Sequence, residues 1–254
     1  MITDYLSTVL DGVPTAIKDE TKVAGYRTSH GRKRNDSIFP IEEESSWPVQ
    51  KWEEAGGIIL GKLNMHEIGA DTTNNNPNWG TPKNPHNDHY YTGGSSGGPA
   101  YVVSAGLVPV ALGTDGGGSI RIPASFCGIY GLKPSHTRLE DTGSTVTVSG
   151  PLAANMSDLE AAYRVMATPD ASDPNCSLFA PPGTPANHSK ILGIYKDWFD
   201  RADPSVLSVC NQTVDYFRDR LGYTIVQIEM PYSPEGQGEL SELWNIFLPI
   251  AGVF

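Results

Sequence analysis

Three short stretches of the 254-residue chain combine reactive side chains with unusual backbone freedom: LDGVPTAIKDE (10–20), TGGSSGGPA (92–100) and GTDGGGSIRIPASFCG (113–128). In the third, three successive glycines precede Ser119. Glycine carries no Cβ, so its N–H can be turned toward a point that other residues could not address. A serine nucleophile needs such amides, because attack on an acyl carbon places negative charge on an oxygen that preoriented N–H groups must meet. Gly116, Gly117, Gly118 and the Ser119 amide are therefore candidates for an oxyanion cradle, with Ser119 as the attacking group. A tight turn in an exposed loop is the competing reading. The apolar runs on both sides, VPVAL before it and IRIPASF after it, favour a buried site.

A serine of this kind requires a base. The six histidines, at 30, 66, 86, 89, 136 and 188, have no context that marks one of them for the role. Lysine can serve where burial makes its neutral form accessible, and Lys18 in VPTAIKD lies in apolar company. Against this stands an ordinary strand-end lysine paired with Asp19 or Glu20. Residues 94–98 also match Gly-x-Ser-x-Gly, which would make Ser96 the nucleophile of a different hydrolase fold. That motif asks for a strong preceding strand and a well-placed downstream histidine, and HYYTGG is a poor strand. Metal chemistry finds no support: His66-Glu67 is followed by Ala70 where a second histidine would stand, and His86 and His89 have no partner ligands. No Gly-Lys-Ser/Thr follows the glycine-rich stretches, which argues against a nucleotide loop.

The elements around these stretches read as α/β. A strand is expected over 13–19, a helix over 47–56 ended by glycine, and a buried strand over 57–65. A long loop over 72–94, a helix over 96–107 and an apolar strand over 108–115 follow. Further on come a helix over 157–169 with Ser157 as N-cap and Glu160 completing a capping box, a strand within 188–199, an amphipathic helix over 203–222 closed by Gly222, and a strand over 224–230. Residues 180–189 are the best linker candidate, but one domain over 1–254 is the expected organisation.

At this point the chain resembles the amidase signature enzymes. The likeness rests on DGVPTAIKD, GKLNMHE, NP followed by GGSSGG, and GTDGGGSIRIPASFCGIYGLKP, in the family's order and concentrated in residues 10–134. It implies a mixed twisted sheet flanked by helices, with the C-terminal part of the fold missing, and a Ser-Ser-Lys triad: Lys18 as base, Ser95 as proton relay, Ser119 as acylated nucleophile. It also implies a cis peptide between Gly94 and Ser95, carboxylic amides as substrates, and no cofactor. Asp115 and Arg121 flank the nucleophile loop and are expected to brace it, and Ser96 to support it by hydrogen bonding. Two alternatives remain beside the amidase: a non-catalytic fragment, and a glutamine-hydrolysing amidotransferase A-type subunit.

Composition bounds the partners. Eighteen Lys and Arg against 29 Asp and Glu give a net charge of −11, which opposes unspecific phosphate-backbone binding and makes small molecules or neutral acyl groups the expected partners rather than nucleic acid; that they are amides is what the resemblance implies. A homodimer is compatible with the sequence. Three cysteines at unrelated spacings do not make a disulfide framework, and no basic and apolar leader opens the chain, so a cytoplasmic location is expected. Five Asn-x-Ser/Thr sequons (Asn35, Asn155, Asn175, Asn187, Asn211) point weakly toward secretion. The apolar ending LWNIFLPIAGVF suggests a piece of a longer protein.

Overall fold

The computed structural model describes residues 8–136, 138–139, 144–170 and 190–229, which fall into two compact units. The first, within residues 8–170, is built on a five-stranded mixed sheet. In chain order its elements are β1 (Pro14–Lys18), α1 (Trp47–Glu54), β2 (Ile58–Leu63), β3 (Lys83–Asn84), β4 (Asn87–Tyr91), α2 (Gly97–Ser104), β5 (Val110–Asp115), α3 (Arg121–Phe126), β6 (Tyr130–Gly131), β7 (Val148–Ala153) and α4 (Met156–Met166). The sheet order is β2-β1-β5-β7-β6. β1 runs parallel to both neighbours, pairing Thr15 with Ile59 and Ala16 with Ala111, while β7 runs antiparallel to β5 and β6. β3 and β4 form a separate antiparallel pair.

Side-chain alternation divides the core between the two sheet faces. Ile17, Val110 and Leu112 join Val49 and Trp52 of α1 and Leu159, Ala162 and Met166 of α4. Ala111, one residue out of step, packs with Val103 of α2 and with Val108. Leu152 packs with Ala100 of α2 and with Ile120 and Ala124 around α3. Trp52 is wholly buried, and its indole Nε1 donates to the Ala162 carbonyl at 3.0 Å, so α1 and α4 are joined by a polar contact inside the apolar layer.

The helix over 47–56 ends as its glycine implied. Gly56 adopts φ +83°, its N–H donates to Glu53, and that of Gly57 donates to Trp52, the paired closure typical of a left-handed helix terminus. Other expectations need correction. The strand over 57–65 is not buried: Ile58 and Leu60 are more than half exposed, because β2 is a sheet edge. The cap of α4 is Asn155, whose side chain accepts from the Asp158 N–H at 2.9 Å; Ser157 is already inside the helix. Asparagine caps as well as serine does, and it comes first after β7 ends. The long loop over 72–94 contains the β3–β4 pair, and the helix α3 directly after Ser119 and Ile120 was not anticipated.

The second unit, described over residues 190–229, consists of β8 (Ile191–Ile194), a short helix α5 (Lys196–Phe199), α6 (Pro204–Asp219) and β9 (Thr224–Gln227). β8 and β9 are parallel, in register from Ile191–Thr224 to Ile194–Gln227, with α6 between them in the chain. Gly222 (φ +70°) follows α6 as expected. The linker candidate at 180–189 lies outside the described residues. Among the described residues no helix is long and apolar enough to cross a membrane.

Candidate active site

Lys18 is the last residue of β1, and Thr114 and Asp115 end the neighbouring parallel strand β5. Crevices outside the carboxyl ends of parallel strands are where open α/β sheets place their ligands. Ile17 points into the α1–α4 layer, so Lys18, the next residue, emerges toward the side that carries α2. There it is fully buried. Its Nζ donates to Ser95 Oγ at 2.9 Å, to Thr114 Oγ1 at 2.7 Å and, at 3.5 Å, to the Thr114 carbonyl, and it lies 3.1 Å from Glu20 Oε2. Burial pulls the Lys18 amine below the ordinary lysine range, against the opposing pull of the Glu20 carboxylate and, more weakly, of Asp115. Asp19 takes no part: its carboxylate accepts from Ser29 and Gly31 and pairs with Lys62.

Ser95 and Ser96 lie at the mouth of α2, and the Gly94–Ser95 peptide is cis. The Ser96 N–H donates to the Ser119 carbonyl at 3.1 Å, which ties the two serine loops together. Ser96 Oγ donates to the Thr114 carbonyl at 3.1 Å, so this hydroxyl is committed inward; Ser96 is fully buried. Its closeness to β5 requires a residue without a side chain: a Cβ on Gly113 would lie 2.9 Å from Ser96 Oγ and 2.8 Å from Leu152 Cδ1. These contacts leave the nucleophile-elbow reading of Ser96 without a free hydroxyl.

The Ser119 loop is braced by one carboxylate. Asp115, wholly buried, accepts through Oδ1 from the Gly118 N–H (2.8 Å) and Arg121 Nη2 (3.0 Å), and through Oδ2 from the N–H groups of Ile120 (3.1 Å) and Arg121 (3.3 Å) and from Arg121 Nε (3.0 Å). Burial alone would raise the Asp115 carboxyl; the hydrogen bonds from Arg121, Ile120 and Gly118 more than reverse that and hold it below the usual aspartate range. Gly118 sits at φ +124°, a conformation only glycine adopts readily.

This bracing corrects the expected cradle. The Gly118 N–H is engaged by Asp115, which leaves the amides of Gly116, Gly117 and Ser119 without a hydrogen bond among the described residues. Ser119 is 6% exposed and Ser95 1%. Their hydroxyls make no direct hydrogen bond to each other in this state, so the structure brings Lys18 onto Ser95 and Ser95 beside the Ser119 loop without closing the last link. Of the two acids weighed as partners of Lys18 it is Glu20 that pairs with it, and Thr114 is a polar neighbour that the sequence reading did not mark. Its signal was position: Thr114 precedes Asp115 in GTDGGGS. Asn74 was also missed; it accepts from the Gly97 N–H at the start of α2 at 3.0 Å.

The α/β sheet thus carries this lysine and two serine loops at its strand ends. The amidase family profile matches residues 2–246, and the chain belongs to that family. It is 40% identical over 238 residues to a fatty acid amide hydrolase of Arabidopsis thaliana, covering 88% of this chain and 39% of that protein. It is 37% identical over 235 residues to the A subunit of a glutamyl-tRNA(Gln) amidotransferase from Chromohalobacter salexigens, covering 88% of this chain and 48% of that one. Among solved structures, a peptide amidase in complex with the competitive inhibitor chymostatin superposes with a TM-score of 0.78 at 26% identity, over 94% of this chain and 51% of that chain. The chain thus spans about two fifths to one half of the relatives it matches.

Proposed function

We propose that this chain carries the acyl-transfer centre of an amide hydrolase, with Lys18 as base, Ser95 as relay and Ser119 as nucleophile. The observation that carries the reading is the buried 2.9 Å contact between Lys18 Nζ and Ser95 Oγ, made beside a loop of bare amides. Neutral Lys18 takes the proton of Ser95, Ser95 takes that of Ser119, and Ser119 Oγ attacks the amide carbon. Catalytic hydrogen bonds are commonly loose before substrate binds; bringing Ser119 Oγ onto Ser95 Oγ is the adjustment that binding supplies. The oxyanion is met by the amides of Gly116, Gly117 and Ser119, while Gly118 and Asp115 hold the loop in shape. The C–N bond then breaks as the proton returns through Ser95 to the leaving nitrogen, and water releases the acyl group by the same relay in reverse. The substrate class is a small carboxylic amide.

The test is labelling by a fluorophosphonate together with turnover on a panel of aliphatic, aryl and fatty acyl amides. Labelling lost in Ser119→Ala, and slowed by at least about 100-fold in Lys18→Ala, is expected; labelling that survives Ser119→Ala refutes the assignment. Glutamine is the second substrate to consider, favoured by the 37% identity to one component of an amidotransferase. Ammonia released from glutamine, with a second protein copurifying, would establish that reading over a simple amidase.

A further inference from the structure

The mechanism uses Lys18 and leaves unexplained why an acid stands against it. We propose that Glu20 is a positioning residue for Lys18: its carboxylate sets the direction of the Thr114 hydroxyl and retains a proton on Lys18, and so fixes the pH above which Lys18 can accept a proton from Ser95. The proposal rests on the reading of Lys18 as base and assigns the control of that base to a side chain outside the triad.

The reason lies in the count of protons. Thr114 Oγ1 donates to Glu20 Oε2, which leaves its lone pairs to accept from Lys18 Nζ at 2.7 Å. An ammonium has three N–H groups, and three close acceptors surround this one: Thr114 Oγ1, Glu20 Oε2 and Ser95 Oγ. When Lys18 is neutral it has two N–H groups and one lone pair. Thr114 and Glu20 still take two donors, so the lone pair is left facing Ser95, the one partner with a proton to give. Without the Glu20 carboxylate the Thr114 hydroxyl would be free to turn and donate to Lys18, spending the lone pair on the wrong neighbour.

Charge acts in the same place. The groups that face Lys18 are Glu20 and, more distantly, Asp115 at the end of β5; the titratable group facing Glu20 besides Lys18 is His30, which burial holds below the ordinary histidine range. Asp115 is neutralised by Arg121, and Asp19 by Lys62. Glu20 is therefore the anion that Lys18 meets at contact distance; burial alone would raise its carboxyl, but the Lys18 charge and the hydrogen bonds from Thr114 and Lys18 more than reverse that and hold it below the usual glutamate range. Burial favours the neutral amine and Glu20 opposes it. The balance, which neither residue type reveals alone, decides when Lys18 is a base.

The test uses the full chain and two substitutions, Glu20→Gln and Glu20→Ala. The Lys18 side chain is followed by titration of its 13Cε resonance in lysine-labelled protein, assigned through its loss in Lys18→Met, and the rate of fluorophosphonate labelling is followed over the same pH range. Removing an opposite charge at this distance should move the Lys18 midpoint by roughly 1 to 3 pH units toward acid, and the acid limb of labelling should move with it. A merely structural Glu20 would lower the labelling rate evenly at all pH values and leave both midpoints in place; an unmoved Lys18 midpoint in the two variants overturns the proposal. If the midpoint moves in a chain that labels no serine, the proposal stands and the assignment of Ser119 falls.

Discussion

Replacing Asp115 by asparagine tests the bracing of the Ser119 loop. The asparagine can keep its oxygen where Oδ1 now accepts from the Gly118 N–H and Arg121 Nη2, but its NH2 then faces three donors: the N–H groups of Ile120 and Arg121, and Arg121 Nε. The Arg121 side chain is 54% exposed, so its Nε finds water and its charge contributes little once screened. The two backbone groups are the cost, and Ile120 is wholly buried. At about 1–3 kcal/mol for each donor left unsatisfied, D115N should be destabilised by about 2–6 kcal/mol at neutral pH. Urea unfolding with an unchanged m-value measures this as a lower midpoint. The dependence on pH has a definite sign. Because the folded carboxyl lies below the ordinary aspartate range, its contribution is complete above that range and is lost as the pH falls through the folded value. Wild type and variant should therefore converge in acid. A difference under about 0.5 kcal/mol at neutral pH, the range of an ordinary surface change, would refute the view that this carboxylate holds the loop.

Ser96→Ala should cost about 1–2 kcal/mol, since the hydroxyl bonded to Thr114 is lost in a dry site, yet it should still be labelled by fluorophosphonate, whereas Ser95→Ala should not; equal loss in the two would mean that Ser96 shares the chemistry. Trp52→Ala should lower stability by about 3–5 kcal/mol in urea unfolding, because it empties the layer between α1 and α4 and removes the indole hydrogen bond to the Ala162 carbonyl. The thiol of Cys127 is pushed up to about 11 by burial, so a thiol reagent at pH 8 should modify the half-buried Cys210 first and reach Cys127 only on unfolding. Rapid reaction of Cys127 in the native protein would contradict its place in the α2–α3 layer.

Much of the site was legible in the sequence because its parts are local. Three glycines before Ser119 announce a backbone conformation, and apolar runs on either side announce burial; neither depends on what the rest of the chain does. The same holds for β1, β5, α1 and α6, whose periodicity reflects one face or one strand. Asn155 displaced Ser157 as the cap of α4 because a cap is decided by where the preceding strand stops, and β7 was invisible without its partners: VSGPLA carries a glycine and a proline and lacks the apolar run that marks β5.

What the sequence determined by itself was the inventory: a lysine at a strand end, two serines in glycine-rich turns, and a carboxylate and an arginine flanking the second. The tertiary structure decided which of these touch. Parallel pairing of β1 with β5 sets Lys18 beside Thr114, residues 96 positions apart, and the start of α2 lowers Ser95 onto the same amine. It also gave the Gly118 N–H to Asp115 and set Glu20 rather than Asp19 against the lysine. Those choices turn on directions of single bonds and on the dielectric around them. Such quantities belong to the packed arrangement, since a residue's charge, its lone pairs and its proton are settled by neighbours that the chain brings from far away.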